Sequence, residues 1–290
     1  MAEVGKAVAY GAVTIINAIS CGLGAALSVD LKTEVTVKLT DEPGRIEGKI
    51  LSDQEESTVL IEKIVSKVLK RFNLEREYGA HVETQSNIPI ARGLKSSSVA
   101  ANAVTLATLA AVGKEVSDLT AVNIGVDAAL EAGVTITGAF DDACASFFGG
   151  IVVTDNFGRK ILKKVQPAEK HAILVHVPSF KAYTAESNVQ RMKVISEEAK
   201  ALHKMALCGE WMTAMTLNGM LYSAVLGFDA STAIDALEAG ALAAGLSGKG
   251  PAVAAVVPRE NVKNVTEAWK KHGGSVVETR INTQKAHVMR

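Results

Sequence analysis

The chain has 290 residues, enough for two ordinary domains and a large core. Its 31 basic and 31 acidic residues cancel, which argues against a general nucleic-acid binder, whose domain carries a basic excess. The three cysteines, Cys21, Cys144 and Cys208, are far apart and odd in number. They fit neither a disulfide framework nor a metal-ligand spacing, so a reducing cytoplasm is the expected home.

The stretch Ala7 to Val29 carries no charge and follows Lys6, a pattern shared by signal peptides and membrane spans. Gly11, Asn17, Ser20, Gly22 and Gly24 interrupt it, so a buried hairpin is expected instead: a strand over Val8–Ile19, then a turn over Cys21–Gly24. From Leu31 to Leu39 apolar and polar residues alternate, the period of a half-solvated strand. Asp41-Glu42-Pro43-Gly44 is a turn, and Arg45–Leu51 a short strand. Gln54–Phe72 carries an apolar stripe, Leu60, Ile61, Ile64, Val65, Val68 and Leu69, against a charged face, and is an amphipathic helix. A strand over His81–Ser86 leads into PIARGLKSSSVAANAV, Pro89 to Val104, an Ala-rich helix that Gly113 ends.

A second helix is expected from Ser117 or Asp118 to Glu131, with Gly133 as its stop. Val134–Phe140 reads as extended or loop, and Ile151–Thr154 as a strand. Turn residues and charges over Asn156–Lys170 mark a boundary between domains 1–160 and 161–290. The second half begins with a strand over His171–Val177. Helices follow over Asn188–Leu207, Glu210–Leu226 and Ser231–Ala244. A glycine-rich loop in GLSGKGPAVAAVV, Gly245–Val257, enters a strand. A helix over Arg259–His272 and a strand over Ser275–Ile281 close the chain. Helices and strands mix without a strict βαβ repeat, so the class is α+β.

Several of these residues have chemistry to offer. A strand, a glycine turn and then a helix is the context of a phosphate loop. Free N–H groups at the helix start, with the helix dipole, attract an anion. Lys95 adds a charge, and Ser96, Ser97 and Ser98 offer hydroxyls to a phosphate or a metal; equally, one serine can simply cap the helix. The Walker pattern GxxxxGK[ST] is absent. Two glycine loops, around Gly93 and around Gly248, can close on one polyphosphate, although a helix-to-strand turn near Gly248 needs glycine anyway. Asp141 and Asp142 lie among phenylalanines, where unpaired carboxylates are costly. One can cap a helix, or orient or deprotonate a hydroxyl. Glu131 can help hold Mg²⁺, an oxygen-liganded ion that bridges phosphates, or be plain surface. Thr14 and Asn17, polar in an apolar strand, are either core hydrogen-bond partners or substrate contacts. The six histidines show no ligand spacing, and Trp211 and Trp269 read as packing residues.

Pro89-x-x-x-Gly93-Leu94-x-Ser96-Ser97 resembles the central motif of the GHMP kinases, with Ser98 where alanine is usual. Gly245-Leu-Ser-Gly-Lys-Gly resembles that family's late glycine loop. Asp141-Asp142 followed by Gly149-Gly150 resembles the segment of its catalytic aspartate. The likeness covers the whole chain. It is strongest to the archaeal shikimate kinases, through GKAVAYGAVTIINAIS, GLKSSSVAANAV and TGAFDDACASFFGG.

The resemblance implies an N-terminal domain like ribosomal protein S5 domain 2 and a ferredoxin-like C-terminal domain. It implies phosphoryl transfer from ATP, with Mg²⁺, to the 3-hydroxyl of shikimate in aromatic amino-acid biosynthesis, with neither nucleic acid nor membrane as partner. Homoserine or mevalonate as acceptor, and a non-catalytic ligand-binding role, are the alternatives. Carried over, Pro89, Ile90, Ala91, Arg92, Gly93, Leu94, Lys95, Ser96, Ser97, Ser98 and Val99 wrap the ATP phosphates together with Gly248 and Gly250. Ser97 and Glu131 hold the metal. Mevalonate-kinase-like spacing selects Asp142 as the catalytic aspartate; the D-x-A pattern and homoserine-kinase spacing favour Asp141. Thr14, Asn17 and Arg191 are assigned to the substrate, with Arg92 and Lys181 as alternatives to Arg191 for its carboxylate.

Overall fold

A computed structural model describes residues 3–89, 93–168, 170–180 and 189–289. The candidate residues Ile90, Ala91, Arg92 and Lys181 lie outside them.

The chain opens with a long hairpin, β1 (Val4–Ile16) and β2 (Leu23–Thr40), paired antiparallel. The uncharged run is therefore a sheet interior, and every residue of β1 from Ala7 onward is buried. No described helix is long and apolar enough to cross a membrane. The alternation over Leu31–Leu39 marks only the second half of β2. The first half is buried on both faces and so carries no period-two signal. β3 (Ile46–Ile50), α1 (Val59–Arg71) and β4 (Gly79–Ser86) follow, with β4 parallel to β3 and antiparallel to β2.

Next come α2 (Ser96–Ala111), α3 (Asp118–Glu131) and α4 (Phe140–Phe148). α2 and α4 pack on the hairpin and on each other, and Asn102 Nδ2 donates to the Ala143 carbonyl at 2.8 Å between them. β5 (Ile151–Asp155) pairs with the first half of β2, and β6 (Lys160–Val165) pairs with β5. The sequence reading gave β6 no strand. Its pattern KILKKV is exposed or half-exposed throughout, because it is an edge strand, where lysines keep other chains from pairing.

A four-stranded sheet forms from β7 (His171–Val177), β8 (Ala243–Leu246), β9 (Val253–Pro258) and β10 (Ser275–Arg280), in the order β10-β7-β9-β8. Between β7 and β8 run α5 (Val189–Lys193), α6 (Ser196–Cys208), α7 (Trp211–Leu226) and α8 (Ser231–Glu238). Two sequence expectations fail here. The helix over Asn188–Leu207 is broken between α5 and α6, and the helix expected to reach Ala244 ends at Glu238, so that Ala243 and Ala244 open β8. Alanine's high helix propensity misled, because β8 is fully buried and packs α7 against it. After β9, α9 (Val262–Trp269), flanked by 3₁₀ turns, precedes β10, and β11 (His287–Val288) returns to pair with β1.

One hydrophobic core runs from the hairpin and α1–α4 into β7, β9, α6 and α7, and a second fills the far side of the four-stranded sheet around Trp269 and Tyr222. The shared core fixes the two glycine loops against each other.

Candidate active site

α2 begins without a conventional cap. Its N-cap residue is Lys95, in the left-handed region at φ 64°, and no side chain caps the first turn. Ser96, Ser97 and Ser98 thus belong to the helix and do not cap it. The first-turn N–H groups have no intrahelical partners, and an uncapped helix start is a place where an anion can bind. Leu94 and Val99 are buried in the core on either side of this turn and anchor it.

The second loop, Ser247–Ala252, lies directly on the first. Ser247 Oγ donates to the Gly93 carbonyl at 2.7 Å. Gly93 has φ +88°, and a Cβ there would run into the Ser247 carbonyl oxygen, so only glycine fits. The Gly248 N–H donates to Thr14 Oγ1 at 2.8 Å, Asn17 Nδ2 donates to the Gly248 carbonyl at 2.8 Å, and the Thr14 N–H donates to Ser247 Oγ at 3.2 Å. Thr14 Oγ1 and Asn17 Nδ2 are therefore spent on the loop, while Asn17 Oδ1 accepts from the Ile19 N–H at 3.0 Å. Of the two, Asn17 also reaches the cleft wall.

The cleft encloses about 150 Å³. Its lining brings together Gly93, Lys95, Ser96, Ser97 and Ser98 of the first loop, Gly248, Lys249 and Gly250 of the second, Asp141 and Asp142, and Thr135 and Thr137. Both aspartates sit in the first turn of α4 and are nearly inaccessible. That burial brings them to the phosphate-loop candidate across about 45 residues of sequence.

The two carboxylates differ in environment. Asp141 is gripped by Asn156, whose Nδ2 donates to its Oδ1 at 2.8 Å and whose Oδ1 accepts from its backbone N–H at 3.2 Å. Thr154 Oγ1 donates to the same Asn156 oxygen at 2.7 Å and orients it. A Cβ on Gly24 would come 2.5 Å from Asp141 Oδ2, so the carboxylate is wedged against β2. Asp142 instead pairs through Oδ2 with Lys95 Nζ at 3.0 Å. Its other oxygen, Oδ1, is buried with no partner among the described residues. Burial first, and then the neighbouring Asp141 charge, push the Asp142 carboxyl up to about 7, against the pull of Lys95.

The structure does not bring the remaining candidates together with these. Glu131 ends α3 outside the cleft wall and forms an exposed ion pair with Lys67 Nζ at 2.6 Å. Arg191 is exposed on α5 and does not line the cleft. Pro89 precedes the loop without lining it. Among the described residues no three His, Cys, Asp or Glu side chains form a metal cluster. Sequence reasoning missed Lys249, Asn156 and the two threonines. The lysine of GLSGKG was visible as a charge in a glycine loop; the Asn156 contact left no local signal.

The family model for the GHMP kinases N terminal domain matches residues 60–150, and that for GHMP kinases C terminal matches 199–275. Over 284 residues the chain is 48% identical to a shikimate kinase of Methanosarcina mazei, covering 97% of this chain and 96% of that one. The chain belongs to the GHMP kinase family. This GHMP kinase is also 49% identical, over 97% of its length and 95% of the relative's, to a shikimate kinase of Methanosarcina acetivorans. Its fold matches the mevalonate kinase of Methanococcus jannaschii with a TM-score of 0.77 at 18% identity, covering 95% of this chain and 98% of that one. The architecture expected from the resemblance, two-domain α+β, is thereby borne out, and so is an enzyme of the kinase class.

Proposed function

We propose that this GHMP kinase transfers the terminal phosphoryl group of ATP to the 3-hydroxyl of shikimate. The reading rests on its full-length similarity to proteins named shikimate kinase and on one feature of the cleft: a buried carboxylate, Asp142, beside a lysine that also opens the uncapped helix α2. The open amides and Lys95 suit a polyphosphate, and the carboxylate suits a hydroxyl.

The chemistry follows from charge. Phosphoryl transfer is mostly positioning plus electrostatic stabilisation. The α2 amides and Lys95 offset negative charge on the transferred group. Asp142 accepts the proton of the attacking hydroxyl at Oδ1, its unpaired oxygen. A base whose carboxyl titrates near neutral pH combines ionisation with useful basicity. Asp141, locked by Asn156, holds its neighbour's field and shape and does not take the proton. The donor set also fits Mg²⁺: the Ser96–Ser98 hydroxyls and carboxylate oxygens at the cleft are the hard oxygen ligands it takes alongside phosphates. When bound, Mg²⁺ supplies charge neutralisation between phosphate oxygens. Ser97 is the loop hydroxyl proposed to hold it, and Glu131, tied to Lys67, is not.

The test is ADP release by the purified protein with ATP and Mg²⁺ across shikimate, homoserine and mevalonate, with the product identified by mass. Shikimate 3-phosphate as the dominant product is expected. Turnover with another alcohol and none with shikimate would refute the assignment.

A further inference from the structure

Among the described residues, Lys249 is the charged side chain of the cleft to which the reading above gives no role. It sits midway in the second glycine loop, and hydrogen bonds fix the backbone on both sides of it. These run from the Gly248 N–H to Thr14, from Asn17 to the Gly248 carbonyl, and from the Gly250 N–H to the Ser247 carbonyl at 2.9 Å. The loop cannot drift, so the lysine stem starts from a set place in the cleft wall.

Its ammonium nitrogen is buried and has no hydrogen-bond partner among the described residues. Among the described residues no carboxylate offsets it: Asp142 is taken by Lys95, and Asp141 by Asn156. The charge that acts on it is of the same sign, that of Lys95. A Cβ built on Gly248, the residue before Lys249, would lie 3.0 Å from Lys95 Nζ. Burial, then repulsion from Lys95, lower the Lys249 ammonium to about 8. A buried ammonium without a counter-charge is expensive, and such groups in native proteins call for an explanation. Here two lysines from two loops, with the open start of α2, converge on one cleft and leave one positive charge unmatched.

We propose that Lys249 is a phosphate ligand, reaching from the second glycine loop to the polyphosphate whose other side is held by Lys95 and the α2 amides. This deepens the reading of the cleft as a nucleotide site and rests on it. An acceptor carboxylate shares the same oxyanion chemistry; the nucleotide is favoured because Lys249 stands beside Lys95 and the phosphate loop, through the Ser247–Gly93 contact.

The experiment is calorimetric titration of wild-type protein and Lys249→Met with a non-hydrolysable ATP analogue plus Mg²⁺, and separately with shikimate. One charge-assisted hydrogen bond predicts about tenfold to hundredfold weaker analogue binding by the variant, with shikimate affinity unchanged. Wild-type protein at pH 8.5 should take up a proton as the analogue binds, because the phosphate raises the lysine from about 8; the variant should not. Losing an unpaired buried charge should leave the melting temperature of the free variant unchanged or raised. A lowered melting temperature would assign Lys249 to structure and overturn the proposal. Weakened shikimate binding with the analogue unaffected would overturn it, as would no change in either. Wild-type protein that binds no nucleotide would overturn the cleft reading as well. Lys249-dependent nucleotide binding without shikimate phosphorylation would support this proposal and sink only the acceptor assignment.

Discussion

Replacing Lys95 by Met removes the cation that keeps the Asp142 carboxyl from rising further. The separation is 3.0 Å. With an effective dielectric of about 20, Coulomb's law gives an attraction of about 5–6 kcal/mol, an upper limit before solvent relaxes into the gap. Measured pairs of this kind move a carboxyl by about 1–3 units. The variant's Asp142 should therefore titrate well above its native value of about 7. The base must be ionised to accept a proton, so activity is lost as pH falls through this pKa. At pH 7.5 the ionised fraction should fall well below the roughly three-quarters that a carboxyl at about 7 gives, a loss of about threefold or more from this cause alone. The assay is kcat for shikimate phosphorylation at saturating ATP from pH 6 to 10. The acid limb should move up by at least one unit, and raising pH should recover activity. Lost phosphate contacts would lower the whole profile without moving its limb. A limb that stays near 7 would refute the pairing of Lys95 with the base.

Asn156→Ala should lower kcat by about tenfold or more while leaving ATP-analogue affinity within about twofold. It frees Asp141 and strands its carboxylate, costing about 1–3 kcal/mol of stability by urea denaturation. Glu131→Gln should change kcat/KM by less than about twofold, and stability by less than about 1 kcal/mol, because it breaks only an exposed ion pair with Lys67. A hundredfold loss of activity at low Mg²⁺ would restore Glu131 to the metal. The Lys249→Met variant should gain most in melting temperature over wild type below about pH 8, where the wild-type ammonium is charged in both folded and unfolded chains. The gap should close as pH rises towards the ordinary lysine value of 10.5; a gap that widens with pH would contradict the burial argument. Gly93→Ala should abolish nucleotide binding or destabilise the fold, since its Cβ meets the Ser247 carbonyl oxygen, as titration alongside thermal melts would show.

Much of the site was legible because its chemistry is local. Gly93, Lys95 and the three serines announce a loop opening a helix, and Asp141-Asp142 stand out as charges in an apolar stretch. The hairpin was legible from its lack of charge. What stayed hidden depends on tertiary neighbours. Thr14 in β1 and Asn17 just past its end are polar for a reason more than 200 residues away, the Gly248 peptide they clamp. Glu131 reads as a metal ligand in the sequence, which does not show the Lys67 that α1 places beside it. Lys160–Val165 looked like linker because an edge strand needs no buried face. The serines were read as possible caps, yet the helix starts at a lysine in a left-handed turn, a backbone choice with no residue signature outside glycine and asparagine. What distinguishes the two aspartates is their partners, Asn156 for one and Lys95 for the other, which spacing does not encode.

The most direct test of the central claim is a crystal structure with shikimate and a non-hydrolysable ATP analogue bound together. The account predicts the terminal phosphate against the Ser96–Ser98 turn, with the shikimate 3-hydroxyl within hydrogen-bond reach of Asp142 Oδ1. Nucleotide bound elsewhere, or a 3-hydroxyl turned away from both aspartates, would contradict it.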